Sequence, residues 1–290
     1  MADPKTSIGE EEDKDQLLQY IIASRGKETT LTDLIEIDSA HVILLGEGNC
    51  TLSWALALRR GTWEGIVATT YEKKTEEEAK SLLQEGKDLC FECHQEFVSD
   101  WNTGVDSDIS RGFQRRDGGL KLQCKVESLE EMPTFEPVTS HFRSNVDATN
   151  KKDLKDVCSG IEPPCIFWFH CPWSIDQDTI ATSDLIKEYL EAAFKVQQER
   201  GGGIVLLGGV ANDGDVYHRS EKYYQKYGLS CNLITKLGFE LHGITTTTFY
   251  SDFIGYGYHH ETYDKTKKIH GLMQYNHFVL VLRVPTRHEG

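Results

Sequence analysis

Two rhythms of apolar and polar residues alternate along this chain. Short, nearly unbroken apolar runs occur at Val42–Leu45, Gly65–Tyr71, Pro164–Phe169, Ile204–Leu207 and His277–Val284, and more polar strand-like stretches at Val138–Asp147 and the threonine-rich Phe239–Phe249. Runs of this kind predict strands, the most apolar of them covered on both faces. Between them apolar residues recur at helical spacing. Leu52–Leu58 predicts a helix ending near Gly61, and Thr75–Gln95 a charged helix with Ala79, Leu82, Leu83, Leu89 and Phe91 available as its packed face. Ser183–Arg200 carries Leu185, Ile186, Tyr189, Leu190, Ala193 and Phe194 on one side and stops at Gly201-Gly202-Gly203. Tyr217–Leu237 is the last such segment, around Tyr224, Leu229, Leu233 and Ile234. Ahead of the first strand, Leu17, Leu18, Ile21 and Ile22 predict a short amphipathic helix, and Thr30 caps a second one carrying Leu31, Leu34 and Ile35.

Strands alternating with helices specify an α/β fold with a mostly parallel seven-stranded sheet and helices on both faces. No helical pattern separates the last two strands, so the last strand is expected to insert antiparallel to its neighbour. Residues 1–15 read as a disordered acidic tail, and 16–290 as a single domain. An irregular insertion is expected at about 96–137, with a hairpin or long loop turning at Asp117-Gly118-Gly119.

Composition narrows the function classes. The chain has 290 residues and a formal net charge of −15, which argues against broad non-specific binding to nucleic acid. Local basic patches remain at Arg111, Arg115, Arg116, Lys121 and Lys125, and at Lys265, Lys267, Lys268 and His270. No run of eighteen apolar residues is present, so no membrane span is expected. The start of the chain is unlike a secretory or mitochondrial signal, and the eight cysteines follow no disulfide rhythm. A cytoplasmic, nuclear or nucleolar protein with reduced thiols is the expectation.

Candidate chemistry is sought where strands end, because doubly wound sheets bind ligands over the carboxyl ends of their strands. The first strand runs into Gly46-Glu47-Gly48-Asn49, a glycine turn that opens a helix and lets backbone approach a ligand. The second ends in Tyr71-Glu72, a carboxylate suited to ribose hydroxyls or simply the first acid of a charged helix. The third ends in Asp147-Ala148-Thr149, where the acid can receive an adenine amino group or cap the next helix. The fourth delivers His170-Cys171-Pro172-Trp173: a polar side chain, a proline and an aromatic. This looks like the Asn/Asp-Pro-Pro-Tyr signature of nitrogen methyltransferases, in which the polar residue meets the target nitrogen and the aromatic stacks on a planar substrate.

Taken together, Gly46-Glu47-Gly48-Asn49, Ala68-Thr69-Thr70-Tyr71-Glu72, Asn145-Val146-Asp147-Ala148-Thr149 and Phe169-His170-Cys171-Pro172-Trp173 resemble the eukaryotic 25S rRNA uridine-N3 methyltransferase-like family. The likeness runs over roughly residues 41–260, and Gly255-Tyr256-Gly257-Tyr258 is similar to a late Tyr-Pro-Gly-Tyr element of that family. The resemblance implies a Rossmann-like class I fold and S-adenosyl-L-methionine as methyl donor. It implies cofactor contacts from Gly46, Glu47, Gly48 and Asn49 (methionine part), Glu72 (ribose), and Asp147 with Ala148 (adenine). It also implies a catalytic segment His170, Pro172 and Trp173, and substrate contacts from Trp173, Tyr256, Tyr258 and His259. No metal is implied. Cys50-Thr51-Leu52-Ser53 stands where the family has Phe-Ser-Phe-Ser, His170 where it has Asn, and Trp173 where it has His.

The acceptor therefore stays open between uridine in rRNA and a small heteroaromatic molecule. A non-catalytic Rossmann-like module binding nucleotide or protein is the alternative outside catalysis, and the missing third glycine counts against a nicotinamide enzyme. Cys90-Phe91-Glu92-Cys93-His94 matches a haem-attachment string but reads better as three soft side chains on one helix. A zinc site from Cys90, Cys93, His94 and Cys124 lacks a second Cys-x-x-Cys. His259 and His260, near Glu261, either line the acceptor site, hold a metal or are plain loop residues.

Overall fold

In the computed structural model, residues 31–103, 126–172, 179–210, 231–245, 253–260 and 277–286 are described. The apolar run after Ala40 forms β1 (His41–Leu45), whose side chains divide strictly between the two faces of the sheet. Val42 and Leu44 enter one core with Leu52, Trp54, Leu56 and Trp168; Ile43 and Leu45 enter the other with Phe167, Tyr189 and Leu190. Both faces being covered explains why the sequence shows no polar alternation here.

The remaining strands are β2 (Ile66–Thr69), β3 (Phe142–Arg143), β4 (Cys165–His170), β5 (Gly203–Val210), β6 (Glu240–Ile244) and β7 (His277–Val284). They form one sheet in the order β3-β2-β1-β4-β5-β7-β6. Its fold is α/β and Rossmann-like. Val42 stands beside Ile66 on one side and Ile166 on the other, and His170 beside Gly208. β7 is antiparallel to both β5 and β6, as the missing final helix led us to expect.

The helices are α1 (Leu31–Leu34), α2 (Thr51–Arg60), α3 (Glu76–Thr103), α4 (Val138–His141), α5 (Lys151–Val157), α6 (Thr179–Glu199) and α7 (Cys231–Leu237). Residues of α2, α3 and α4 line the first core, and those of α5, α6 and α7 the second. None of these helices is long and apolar enough to cross a membrane.

Two expectations are corrected. The run 138–147 is not one strand: Pro137 precedes a helical turn, β3 is only Phe142–Arg143, and Asn145 at φ 59° turns the chain away. The β-branched Val138 and Thr139 suggested a strand, but they lie in a helical turn from which Val138 packs into the core and Thr139 is exposed. The charged helix does not stop at Gln95. Phe97 and Val98 are buried and prolong its apolar face, so α3 runs on to Thr103 and the segment 96–103 is regular. The 1–15 tail, the first amphipathic helix, the turn at 117–119, both basic patches, Cys124, Trp173 and Glu261 lie outside the described residues.

Behind the site, a single buried side chain joins the starts of β4 and β5. Gln197 of α6 is fully buried and donates through Nε2 to the carbonyls of Cys165 (2.7 Å) and Ile204 (3.3 Å). Gln197→Met keeps the length and leaves those carbonyls without this donor. Urea denaturation should show a loss of about 1–3 kcal/mol with an unchanged m-value; no loss would mean that the bridge contributes nothing.

Candidate functional site

The chain runs β1, β2, β3 outward on one side of β1 and then returns to β4 on the other. Adjacent loops therefore diverge above the carboxyl ends of β1 and β4, which is where such sheets hold ligands. The loops after β1, β2 and β3 are stitched to one another. Glu47 N–H donates to Thr69 O (2.7 Å), Val146 N–H to Thr70 O (3.0 Å) and Asn145 N–H to Glu72 O (3.1 Å). Gly46–Asn49, Glu72 and Asp147–Ala148 are thus gathered along one edge.

The Gly46-Glu47-Gly48 turn has three distinct parts. Gly46 has φ 70°, and a Cβ there would come within 2.8 Å of the Phe169 ring, so packing alone requires glycine. Glu47 turns inward: its Oε2 accepts from Ser53 N–H (3.0 Å) and Ser53 Oγ–H (2.5 Å) at the start of α2. Burial raises its pKa against the lowering effect of those bonds. Its visible role is to fix the loop on α2. Gly48, exposed like Gly46, differs from it in that a Cβ there would meet nothing within 4 Å among the described residues. Asn49 Oδ1 accepts from Thr51 N–H (3.1 Å) and Oγ–H (2.9 Å), which holds Cys50 at φ 57°.

Glu72 is largely exposed and pairs with Lys74 at 2.5 Å. Asp147 is half-buried; its Oδ1 accepts from Thr149 N–H (2.8 Å) and Oγ–H (2.7 Å), while Asn150, not Asp147, caps α5. A groove of about 520 Å³ lined by Lys74, Thr75, Val138, Phe142, Arg143 and Ser144 lies at the β3 edge, away from the β1–β4 divergence.

On the β4 side, His170 sits against β5. A Cβ on Gly208 would lie 1.9 Å from His170 Nδ1, so only glycine at 208 leaves room for the imidazole. Cys171 turns the chain at φ 51°, its N–H held by Gly208 O (3.0 Å), and Pro172 is buried. The Tyr258 ring meets His170 edge to face at 5.4 Å, and Tyr258 Oη is 2.9 Å from His260 Nδ1. Desolvation pushes His170 well below the usual histidine value, with His260 adding to it, and holds His260 at about 4. Tyr258 is raised by burial, and the fields of Cys171 and Glu47 act in the same direction.

The Cys90–His94 string has a role that the sequence reading missed. It fastens the segment 255–259. Cys90 Sγ donates to Tyr256 O (3.2 Å), and His94 Nδ1 donates to Gly255 O (2.8 Å). His94 also stacks parallel to Tyr256, and Cys93 Sγ lies 3.8 Å from His259 Nδ1. From the other side Asn49 Nδ2 donates to His259 O (3.1 Å), and Thr51 Oγ lies 2.8 Å from that carbonyl and accepts from His259 N–H (3.2 Å). The face of α3 that does this is Leu83, Gly86, Cys90, His94 and Phe97, at helical spacing. Gly86 belongs to it because a Cβ would strike Asn49 O at 2.5 Å. Among the described residues no three His, Cys, Asp or Glu side chains gather as a metal site. Tyr258 is therefore brought to the β4 end, while His259 is turned toward Cys93 and Tyr256 toward His94. The one signal available in advance was the coincidence of two small-residue motifs, Cys-x-x-Cys-His and Gly-Tyr-Gly-Tyr, in one chain.

Gly257 has φ 91°, and a Cβ on it would lie 2.0 Å from Cys90 O. Gly257→Ala should cost about 2 kcal/mol or more in chemical denaturation; a stability like wild type would show that the loop seat is not strained. His260 binds fewer protons folded than unfolded below about pH 6.5, so its contribution is full above that pH and stability falls as pH drops toward about 4. Between those limits wild type should lose stability faster than His260→Gln, by at most about 1.4 kcal/mol per pH unit. Parallel curves would contradict the desolvation of this half-buried imidazole. In comparisons with known proteins, no family model and no curated protein matches this chain.

Proposed function

We propose that the protein is an S-adenosyl-L-methionine-dependent methyltransferase acting on a nitrogen of a planar heterocycle, with uridine N3 in rRNA as the first substrate to test. The observation that carries this reading is Gly48. Among the described residues nothing needs glycine there, since a Cβ would meet none of them within 4 Å and the backbone is not in the left-handed region. It lies in the row of strand ends whose residues resemble the methyltransferase family. The antiparallel β7 between β5 and β6 agrees with the class I ending.

The donor set fits the cofactor. Backbone at Gly46 and Gly48 would hold the methionine part, exposed Glu72 the ribose hydroxyls, and Asp147 with Ala148 the adenine. When bound, the cofactor supplies an activated methyl group on sulfur, so the protein has chiefly to align an acceptor. His170 is suited to positioning. As a neutral imidazole wedged over Gly208 it presents a fixed edge to a ring nitrogen without adding charge. Trp173 would follow it as a stacking surface. The burial of Pro172 and Tyr258, on a chain of net charge −15, supports a small heteroaromatic molecule as a second reading of the acceptor.

Calorimetry with S-adenosylhomocysteine and with NAD tests this. The first should bind and the second should not; absence of the first from folded protein would remove the proposal. Gly48→Ala should leave the melting temperature within a degree or two and weaken S-adenosylhomocysteine by about tenfold or more, the effect of about 1.4 kcal/mol of steric exclusion. Equal affinity would show that no ligand approaches that backbone.

A further inference from the structure

We propose that Tyr258 and His260 form a proton exit from the acceptor site, with Tyr258 as a catalytic residue and His260 as the group that takes its proton. This rests on the methyltransferase reading. Tyr258 sits between the end of β4 and the loop after β1: it packs on His170, and Cys171 and Glu47 both lie close enough to influence it. Its hydroxyl is 2.9 Å from His260 Nδ1. Tyr258 is buried, whereas His260 is partly exposed, so the pair leads from the site toward water. Anchoring the loop does not require the pair. Asn49, Thr51, Cys90, His94 and the fit of Gly257 already do that.

The chemistry balances. As the C–N bond forms and the S–C bond breaks with its electron pair left on sulfur, the acceptor's N–H proton passes to Tyr258 Oη. The tyrosine proton passes in turn to His260 Nδ1. The positive charge of the sulfonium ends on the imidazolium, which gives its proton to water. Burial and the neighbouring His259 keep His260 neutral at pH 7, a weak base that takes the proton only as the acceptor gives one up and passes it on to water. Among the described residues, the titratable groups around the pair include Glu47 and Cys171 toward Tyr258, His170 and His259 toward His260, and Cys93 toward His259.

The test uses the full chain with ¹⁵N-labelled histidine, S-adenosylhomocysteine, and a transcript of large-subunit rRNA with S-adenosylmethionine. Nitrogen NMR at pH 7 should find His260 neutral with Nδ1 unprotonated, and Tyr258→Phe should shift that nitrogen. An Nδ1-bound proton would overturn the exit, and this arm needs no acceptor. Tyr258→Phe and His260→Asn should bind S-adenosylhomocysteine within about twofold of wild type, which certifies their fold. They should transfer methyl about 100-fold more slowly, and the solvent isotope effect of wild type should be gone. His260→Asn keeps an acceptor for the tyrosine hydroxyl but no base, so wild-type rates in it would reduce His260 to a structural partner and sink the proposal. Wild type that fails to bind S-adenosylhomocysteine would instead sink the methyltransferase reading itself.

Discussion

The contact on which the site depends is that of Gly257 against the carbonyl of Cys90. A glycine with φ 91° lets the segment 255–259 lie directly on the backbone of α3, closer than any side chain would permit. From that seat Cys90 and His94 hold the segment by its carbonyls, and Tyr258 reaches the end of β4. The same face of α3 uses Gly86 to meet the carbonyl of Asn49. One helix thus sets the distance between the loop after β1 and the segment carrying Tyr258.

Strain and burial concentrate at this edge. Cys50, Cys171 and Asn145 are the non-glycine residues with positive φ among the described residues, and they turn the chain after β1, β4 and β3. Such conformations cost of order 1–3 kcal/mol each and persist where the surroundings enforce them. Here the enforcement is visible: the Asn49 side chain behind Cys50, the Gly208 carbonyl on Cys171, and the Glu72 carbonyl on Asn145. Desolvation moves the titratable groups alongside in the direction of neutrality. It raises Glu47 and Tyr258 and depresses His170 and His260.

Much of the sheet was legible because its strands are buried on both faces. Val42–Leu45 and Cys165–Phe169 could be nothing but interior. The antiparallel β7 followed from a missing helix. Where local pattern and tertiary context disagreed, context prevailed: Val138 packs from a helical turn, and Phe97 and Val98 extend α3 through a stretch whose composition looked irregular. The strand-end residues of the site could be listed from the chain, because sheet topology places them together. The clamp could not. Its parts are separated by more than 160 positions, as Cys90 and Tyr256 are, and no local rule connects a cysteine pair on a helix to a distant glycine. Glu47 was legible as a loop residue but not as one turned inward to Ser53.

A structure determined with S-adenosylhomocysteine bound is the most direct measurement of whether the β1–β4 divergence is the working site. The account predicts the ligand over Gly46–Asn49, with its ribose at Glu72, its adenine beside Asp147 and its sulfur facing the His170–Tyr258 side. A ligand seated in the β3-edge groove, or electron density that leaves Gly48 uncovered, would contradict it.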